Sequence, residues 1–160
     1  MFSVGDRVVY PMHGAGVVEA IEEREVLGVT QPYYIMRLPL GDMKVMVPVS
    51  SEQQVGLRDV ISSDAVAKVY EVLRGEATAP MSSNWNRRYR ANMDKIKTGD
   101  IFEVAEVVRN LDLRDREKGL STGERKMLEN ASQILISELQ LAEDMDELQA
   151  RAAINAALGG

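Results

Sequence analysis

The stretch SSDAVAKVYEVLRG, residues 62–75, is where the chain changes its hydrophobic period. Its apolar residues Val66, Val69, Tyr70 and Leu73 recur at helical spacing, behind a capping residue at Ser63 or Asp64 and ahead of a terminating glycine, Gly75. Upstream the pattern is that of strands. RVVY (7–10) ends at Pro11, GAGVVEAIEERE (14–25) runs to a turn at Gly28, and PYYIMRL (32–38) precedes PLGD. MKVMVPV (43–49) alternates Met43, Val45 and Val47 against Lys44 and Met46. Four or five short strands with no helix between them predict a small, bent antiparallel β-barrel of Tudor or SH3 type over residues 1–58.

Downstream of residue 62 every segment reads as helix. A linker, EATAPMSS (76–83), leads to a helix from about Asn84 to Lys97 that stops at Thr98-Gly99. Asp100, with Glu103 three residues on, opens a helix carrying Val104, Val107, Val108 and Leu111. Ser121 and Glu124 form the signature of a capping box before RKMLENASQILISELQLA (125–142), and an alanine-rich helix runs from about Asp144 to Leu158. The expected fold is therefore α+β in two domains, the barrel at 1–58 and an all-α bundle of about five helices at 62–160.

The 160 residues are 45% hydrophobic and 28% charged, ordinary proportions for a folded chain. With no cysteine, disulfide scaffolds, zinc-thiolate sites and thiol catalysis are excluded, and a reducing cytoplasm is the expected compartment. No leader or membrane-spanning run is found, so no membrane partner is expected. The net charge of −6 opposes approach to a polyanion, but its distribution is uneven. Between Pro80 and Lys97 there are five bases against one acid, whereas Met127 to Ala150 holds six acids and no lysine or arginine.

Catalytic groups are scarce. The single histidine, His13, sits in YPMHGAG between two expected strands and has no partner motif nearby. GAG (14–16) lacks the length and the Lys-Ser/Thr ending of a phosphate loop, and the acidic pairs Glu22-Glu23 and Asp144-Asp146 lack the spacing of a calcium site. No enzyme activity, cofactor or metal is expected.

SSNWNRRYR (82–90) is the exception to this plainness, because it places the only tryptophan, Trp85, beside Arg87, Arg88 and Arg90. On a helix Trp85, Tyr89, Met93 and Ile96 form a stripe that ordinarily faces a core. Yet Trp85 stands at the first turn, behind a polar run, where helix N–H groups and the positive dipole end favour phosphate. An apolar wedge with arginines beside it suits insertion between bases from the minor groove. The same residues suit a hot spot in a protein-protein adaptor that never meets DNA.

The segments VGDRVVYPMHGAGVVEAIE (4–22), VGLRDVI (55–61), NWNRRYRANMDKIKTGD (84–100), VAEVVRNL (104–111) and GLSTGERKMLENASQIL (119–135) resemble the CarD/CdnL family of bacterial transcription regulators, in order and spacing, across the whole chain. The resemblance implies a Tudor-like domain that docks on the β subunit of RNA polymerase and a helical domain that touches promoter DNA at the upstream edge of the transcription bubble. It implies that Trp85 is the minor-groove wedge that stabilises the open complex and that Arg87, Arg88 and Arg90 contact the backbone without reading sequence. On the polymerase side it implies a docking arginine at Arg24. Met46 stands where family members can carry an arginine, and Lys44 on the same strand face is the alternative source of charge. A monomer, associated with the nucleoid through polymerase, is the implied state.

Overall fold

The structure, a computed structural model, describes residues 1–39, 42–75 and 83–159; residues 76–82 of the expected linker lie outside these. Five strands, β1 (Arg7–Tyr10), β2 (Gly14–Val26), β3 (Val29–Leu38), β4 (Met43–Pro48) and β5 (Arg58–Asp59), form one antiparallel sheet in the order β4-β3-β2-β1-β5. Its centre is the long β2–β3 hairpin, closed by Leu27 and Gly28, both at positive φ. That is the primed turn whose twist matches the flanking strands; Gly28 suits it, and Leu27 takes the left-handed region against the ordinary preference of its side chain. A bulge between Val18 and Ala20 bends the hairpin so that Val8, Val18, Tyr34, Met36 and Val47 close over one another.

The sheet is open. The expected barrel does not close, because the strand that would meet β4 is β5, only two residues long, before the chain turns away into helix. Between β4 and β5 a 3₁₀ turn (Val49–Ser51) and a one-turn helix, α1 (Glu52–Val55), occupy the gap, and Gly56 ends α1 in the left-handed region.

Five further helices follow: α2 (Ser63–Arg74), α3 (Trp85–Lys97), α4 (Ile101–Lys118), α5 (Thr122–Glu143) and α6 (Glu147–Ala157). Six helices are thus present among the described residues, where about five are expected. The addition is α1, whose EQQV sequence has no apolar period to reveal it. The N-cap of α2 is Ser62, one residue before the expected position, while Asp100 and Ser121 cap α4 and α5 as expected. Leu73 of α2, Ile96 of α3, Val107 and Leu111 of α4, Leu135 and Leu139 of α5 and Ile154 of α6 meet in one core.

Helix α5 also carries the sheet. Ala15 donates its backbone N–H to Ser137 Oγ at 2.9 Å, and Gly14 comes so close that a β-carbon there would lie 2.7 Å from the same oxygen. Below it the buried carboxylate of Glu138 accepts two hydrogen bonds from the Arg58 guanidinium, each at 2.7 Å, and one from the Ile61 N–H at 2.9 Å. Arg58 Nε turns the other way and donates to the Gly99 carbonyl at 2.8 Å, so one side chain ties β5, α5 and the α3–α4 turn. At the far end Arg7 donates to the Leu141 carbonyl and to Asp144. Removing one member of a buried ion pair strands the other, so Glu138→Ala is expected to cost about 3 kcal/mol in urea denaturation. Replacing Arg58 and Glu138 together by methionine and leucine is expected to cost less than Glu138→Ala alone.

Candidate nucleic-acid interface

Helix α3 starts where its sequence directs it to. Asn84 takes the N-cap position, and its side chain accepts the Arg87 N–H at 3.1 Å. Trp85 is therefore the first helical residue and projects past the end of the core, 42% exposed. Its ring stacks on Tyr89, with centroids 5.0 Å apart and planes 22° from parallel. The indole N–H donates to Ser121 Oγ, the N-cap of α5, at 2.9 Å.

The three arginines do not share a role. Arg88 is only 4% exposed and lies against Glu124, 2% exposed, with Nε and Nη2 donating to the two carboxylate oxygens at 2.7 and 3.0 Å. The resemblance implies Arg88 on the DNA backbone; here it is a core residue, because Glu124, 36 residues downstream, supplies the charge that makes its burial possible. The fully buried positions of α3 are consequently Arg88, Asn92 and Ile96; of the predicted stripe, Ile96 is buried, Tyr89 and Met93 pack half-buried against the core, and Trp85 is the member that stands out. Arg87 and Arg90 are exposed and border a shallow groove with Asn86, Ala91 and Asp94. At 100° per residue they lie about 200° and 140° around the helix from Trp85. They reach solvent across the helix from the ring rather than beside it.

Glu124 also departs from its expected part. Ser121 Oγ accepts the Glu124 N–H at 3.2 Å, but the Glu124 carboxylate takes Arg88 and the Ser121 hydroxyl, at 3.1 Å, where a capping box would have it take the N-cap N–H. A complete capping box occurs at α6 instead, between Asp146 and Gln149. Three residues of this region, Ser121, Gly123 and Glu124, touch Trp85 or brace it, and sequence reasoning found only a helix start there. Behind them on α5 stand two further bases, Arg125 and Lys126, both exposed.

On the sheet, Arg24, Lys44 and Met46 pair with Gln31, Arg37 and Ile35 of β3, which places all three on the face opposite Tyr34 and Met36. They share a face without forming a cluster. Six residues of β3 separate the partners of Arg24 and Lys44, about 20 Å. Arg24 pairs with Glu22, and Lys44 Nζ lies 3.3 Å from Glu19. Met46 is exposed on the edge strand, and at the hairpin tip Leu27 is 98% exposed between exposed Val26 and Val29. The His13 ring lies tilted against Tyr10, centroids 4.2 Å apart, and its Nδ1 is 3.2 Å from the Pro11 carbonyl, as suits a turn residue. Among the described residues no group of three or more His, Cys, Asp or Glu could hold a metal ion, and no helix is long and apolar enough to cross a membrane.

Two family models match in tandem. Residues 2–61 fit the CarD-like/TRCF RID domain and residues 68–155 fit the CarD C-terminal domain. The chain belongs to the CarD family. A Bacillus subtilis (strain 168) protein named "Putative transcription factor YdeB" is 45% identical over 150 residues, covering 93% of this chain and 97% of that one. The solution structure of the 72-residue N-terminal domain of Myxococcus xanthus CarD is 39% identical, over 37% of this chain and 79% of that one, with a TM-score of 0.33. Within the CarD family frame Arg24, Lys44 and Met46 fall in the first matched segment, and Trp85, Arg87, Arg88, Arg90, Ser121 and Glu124 in the second.

The Arg88 guanidinium, aided by the Ser121 hydroxyl, holds the Glu124 carboxyl below the usual carboxylate range against the opposing effect of burial. A depressed folded value means that the pair contributes in full above the unfolded value, about 4.3, and is lost as pH falls through the folded one. Glu124→Gln is expected to lower stability at pH 7 by about 3 kcal/mol and to lose less than the parent between pH 5 and pH 3. Urea titrations followed by Trp85 fluorescence measure both; equal pH slopes would place the acid sensitivity elsewhere.

Proposed function

We propose that this CarD-family protein is a transcription regulator that docks through its sheet on the β subunit of RNA polymerase and uses Trp85 to stabilise promoter DNA melted at the upstream edge of the bubble. The observation that carries the reading is an indole 42% exposed at the tip of a helix, anchored by its N–H and stacked on Tyr89, with the rest of its surface open to water. Insertion from the minor groove between unstacked bases favours melted over closed DNA, and that difference in affinity shifts closed complexes toward open ones. No bond is made or broken.

The charge pattern suits delivery by a partner. Two exposed arginines, Arg87 and Arg90, on a chain of net charge −6 support only weak, non-specific DNA affinity, on the order of 10⁻⁴ to 10⁻⁶ M. Docking on polymerase raises the local concentration to the order of millimolar, enough to fill such a site. The β4 edge, with Lys44 and Met46, and the hairpin bearing Arg24 are the surfaces offered for docking, the edge by adding its backbone to a sheet of the partner. The protein acts in this reading as a monomer in the bacterial cytoplasm, reaching the nucleoid through polymerase.

The adaptor reading draws support from one observation, that Arg87 and Arg90 point away from the ring. Cross-linking from position 85 in a promoter complex separates the two: label on DNA supports insertion, label on protein alone supports the adaptor. Trp85→Ala is expected to keep polymerase binding and to shorten open-complex lifetime roughly tenfold, since a stacked base is worth about 1 to 3 kcal/mol. Alanine at Arg87 and Arg90 together is expected to flatten the salt dependence of complex stability by about two units of slope, and Arg88→Ala to reduce fold stability instead.

A further inference from the structure

The indole is held more fully than a surface tryptophan needs to be. An N-cap serine has only to accept one helix N–H, yet Ser121 Oγ accepts the Glu124 N–H and the Trp85 indole N–H and donates its own proton to Glu124 Oε1. Its whole hydrogen-bonding capacity, one donor and two lone pairs, is therefore used. Glu124 is fixed in turn by Arg88, and Arg88 lies one turn along α3 from Trp85, as Glu124 lies one turn along α5 from Ser121. Hydrogen bonds thus run from Trp85 through Ser121 and Glu124 to Arg88, and one turn of α3 joins the two ends.

Gly123 points the same way by an independent route. It is the second residue of α5 and does not have positive φ, so the backbone there has no need of glycine. A glycine inside a helix is unfavourable relative to almost every other residue. The indole stands beside it: a β-carbon at 123 would lie 3.4 Å from Trp85 Cζ2 and 3.9 Å from Tyr89 Cε2, in van der Waals contact with both rings, so a bulky side chain extended the same way would press on them.

We infer that Ser121, Gly123 and the Arg88–Glu124 pair are positioning residues that hold the Trp85 indole in one orientation before it meets DNA. The inference rests on the insertion reading above and adds to it that the ring is preset, not selected from a mobile population. Without the seat, χ1 of Trp85 has up to three staggered wells. If one of the three is competent, apparent affinity for the melted site falls about threefold.

Because Trp85 is the only tryptophan, its fluorescence reports the seat directly in the free protein. Ser121→Ala is expected to add a fast, large-amplitude component to the anisotropy decay of Trp85 and to shorten open-complex lifetime about threefold, with polymerase affinity unchanged. Ser121→Thr, which keeps the hydroxyl, is expected to restore both. Gly123→Leu keeps every hydrogen-bonding group, favours the helix, and is expected to displace the ring, shifting its emission to the red and shortening the lifetime further. Helix content by circular dichroism confirms the fold of each variant, and Gly123→Leu serves alone if Ser121→Ala does not fold. If both variants leave anisotropy decay or lifetime at the parent values while Trp85→Ala shortens the lifetime, insertion stands and the seat is overturned. If Trp85→Ala leaves the lifetime unchanged, the insertion reading is overturned and the positioning role goes with it.

Discussion

A carboxylate taken out of water must find positive charge and hydrogen-bond donors or give up its own charge, and α5 buries two of them. Glu138 receives Arg58 from the sheet; Glu124 receives Arg88 from α3. The two lie 14 residues apart on one helix, about 21 Å along its axis. The sheet is tied to the helices at the first contact and α3 starts against α5 at the second, so both ends of the molecule are referred to one helix. Each glutamate demands its arginine, because a carboxylate left alone in either place would be a buried charge without compensation.

The consequence is mechanical. With no rigid connection, a docked sheet would leave the ring to wander, and the gain from docking would be diluted over the volume it explores. Here the Arg58 side chain joins β5, α5 and the α3–α4 turn, Ser137 meets the β2 backbone, and Arg7 reaches the last turn of α5. A surface on the sheet and a ring at the start of α3 are thus the ends of one packed body. In the reading proposed above, stabilising melted DNA by a few kcal/mol is a small task energetically, and a fixed orientation would let a single stacking contact accomplish it.

Much of this was legible in the sequence. The alternation in MKVMVPV and the helical stripe in AVAKVYEVL identify their elements because burial on one face imposes a period, and local caps at Asp100 and Ser121 mark helix starts by chemistry that the neighbouring residues complete. The ring's exposure was legible too, from a tryptophan placed at the first turn behind polar residues. What escaped was everything that depends on a distant partner. Arg88 reads as one of three equivalent cations until Glu124 is found opposite it, Glu124 reads as half of a capping box until Arg88 claims it, and Gly123 reads as nothing at all. The closure of the barrel was a matter of strand length at β5, two residues that no periodicity signals.

The charge of the whole chain misleads in a related way. Of the six acids between Met127 and Ala150, Glu138 is buried against Arg58, Asp144 pairs with Arg7, Asp146 caps α6 and Glu147 pairs with Arg151. Most of that acidity is therefore committed to holding the fold. Those at the far end of α5 stand about 27 Å from Arg125 at its beginning, more than three Debye lengths at physiological salt. At that range they do little to cancel the field of Arg125. In the reading proposed above, a chain with a net charge of −6 can therefore still meet DNA at the end that carries the ring.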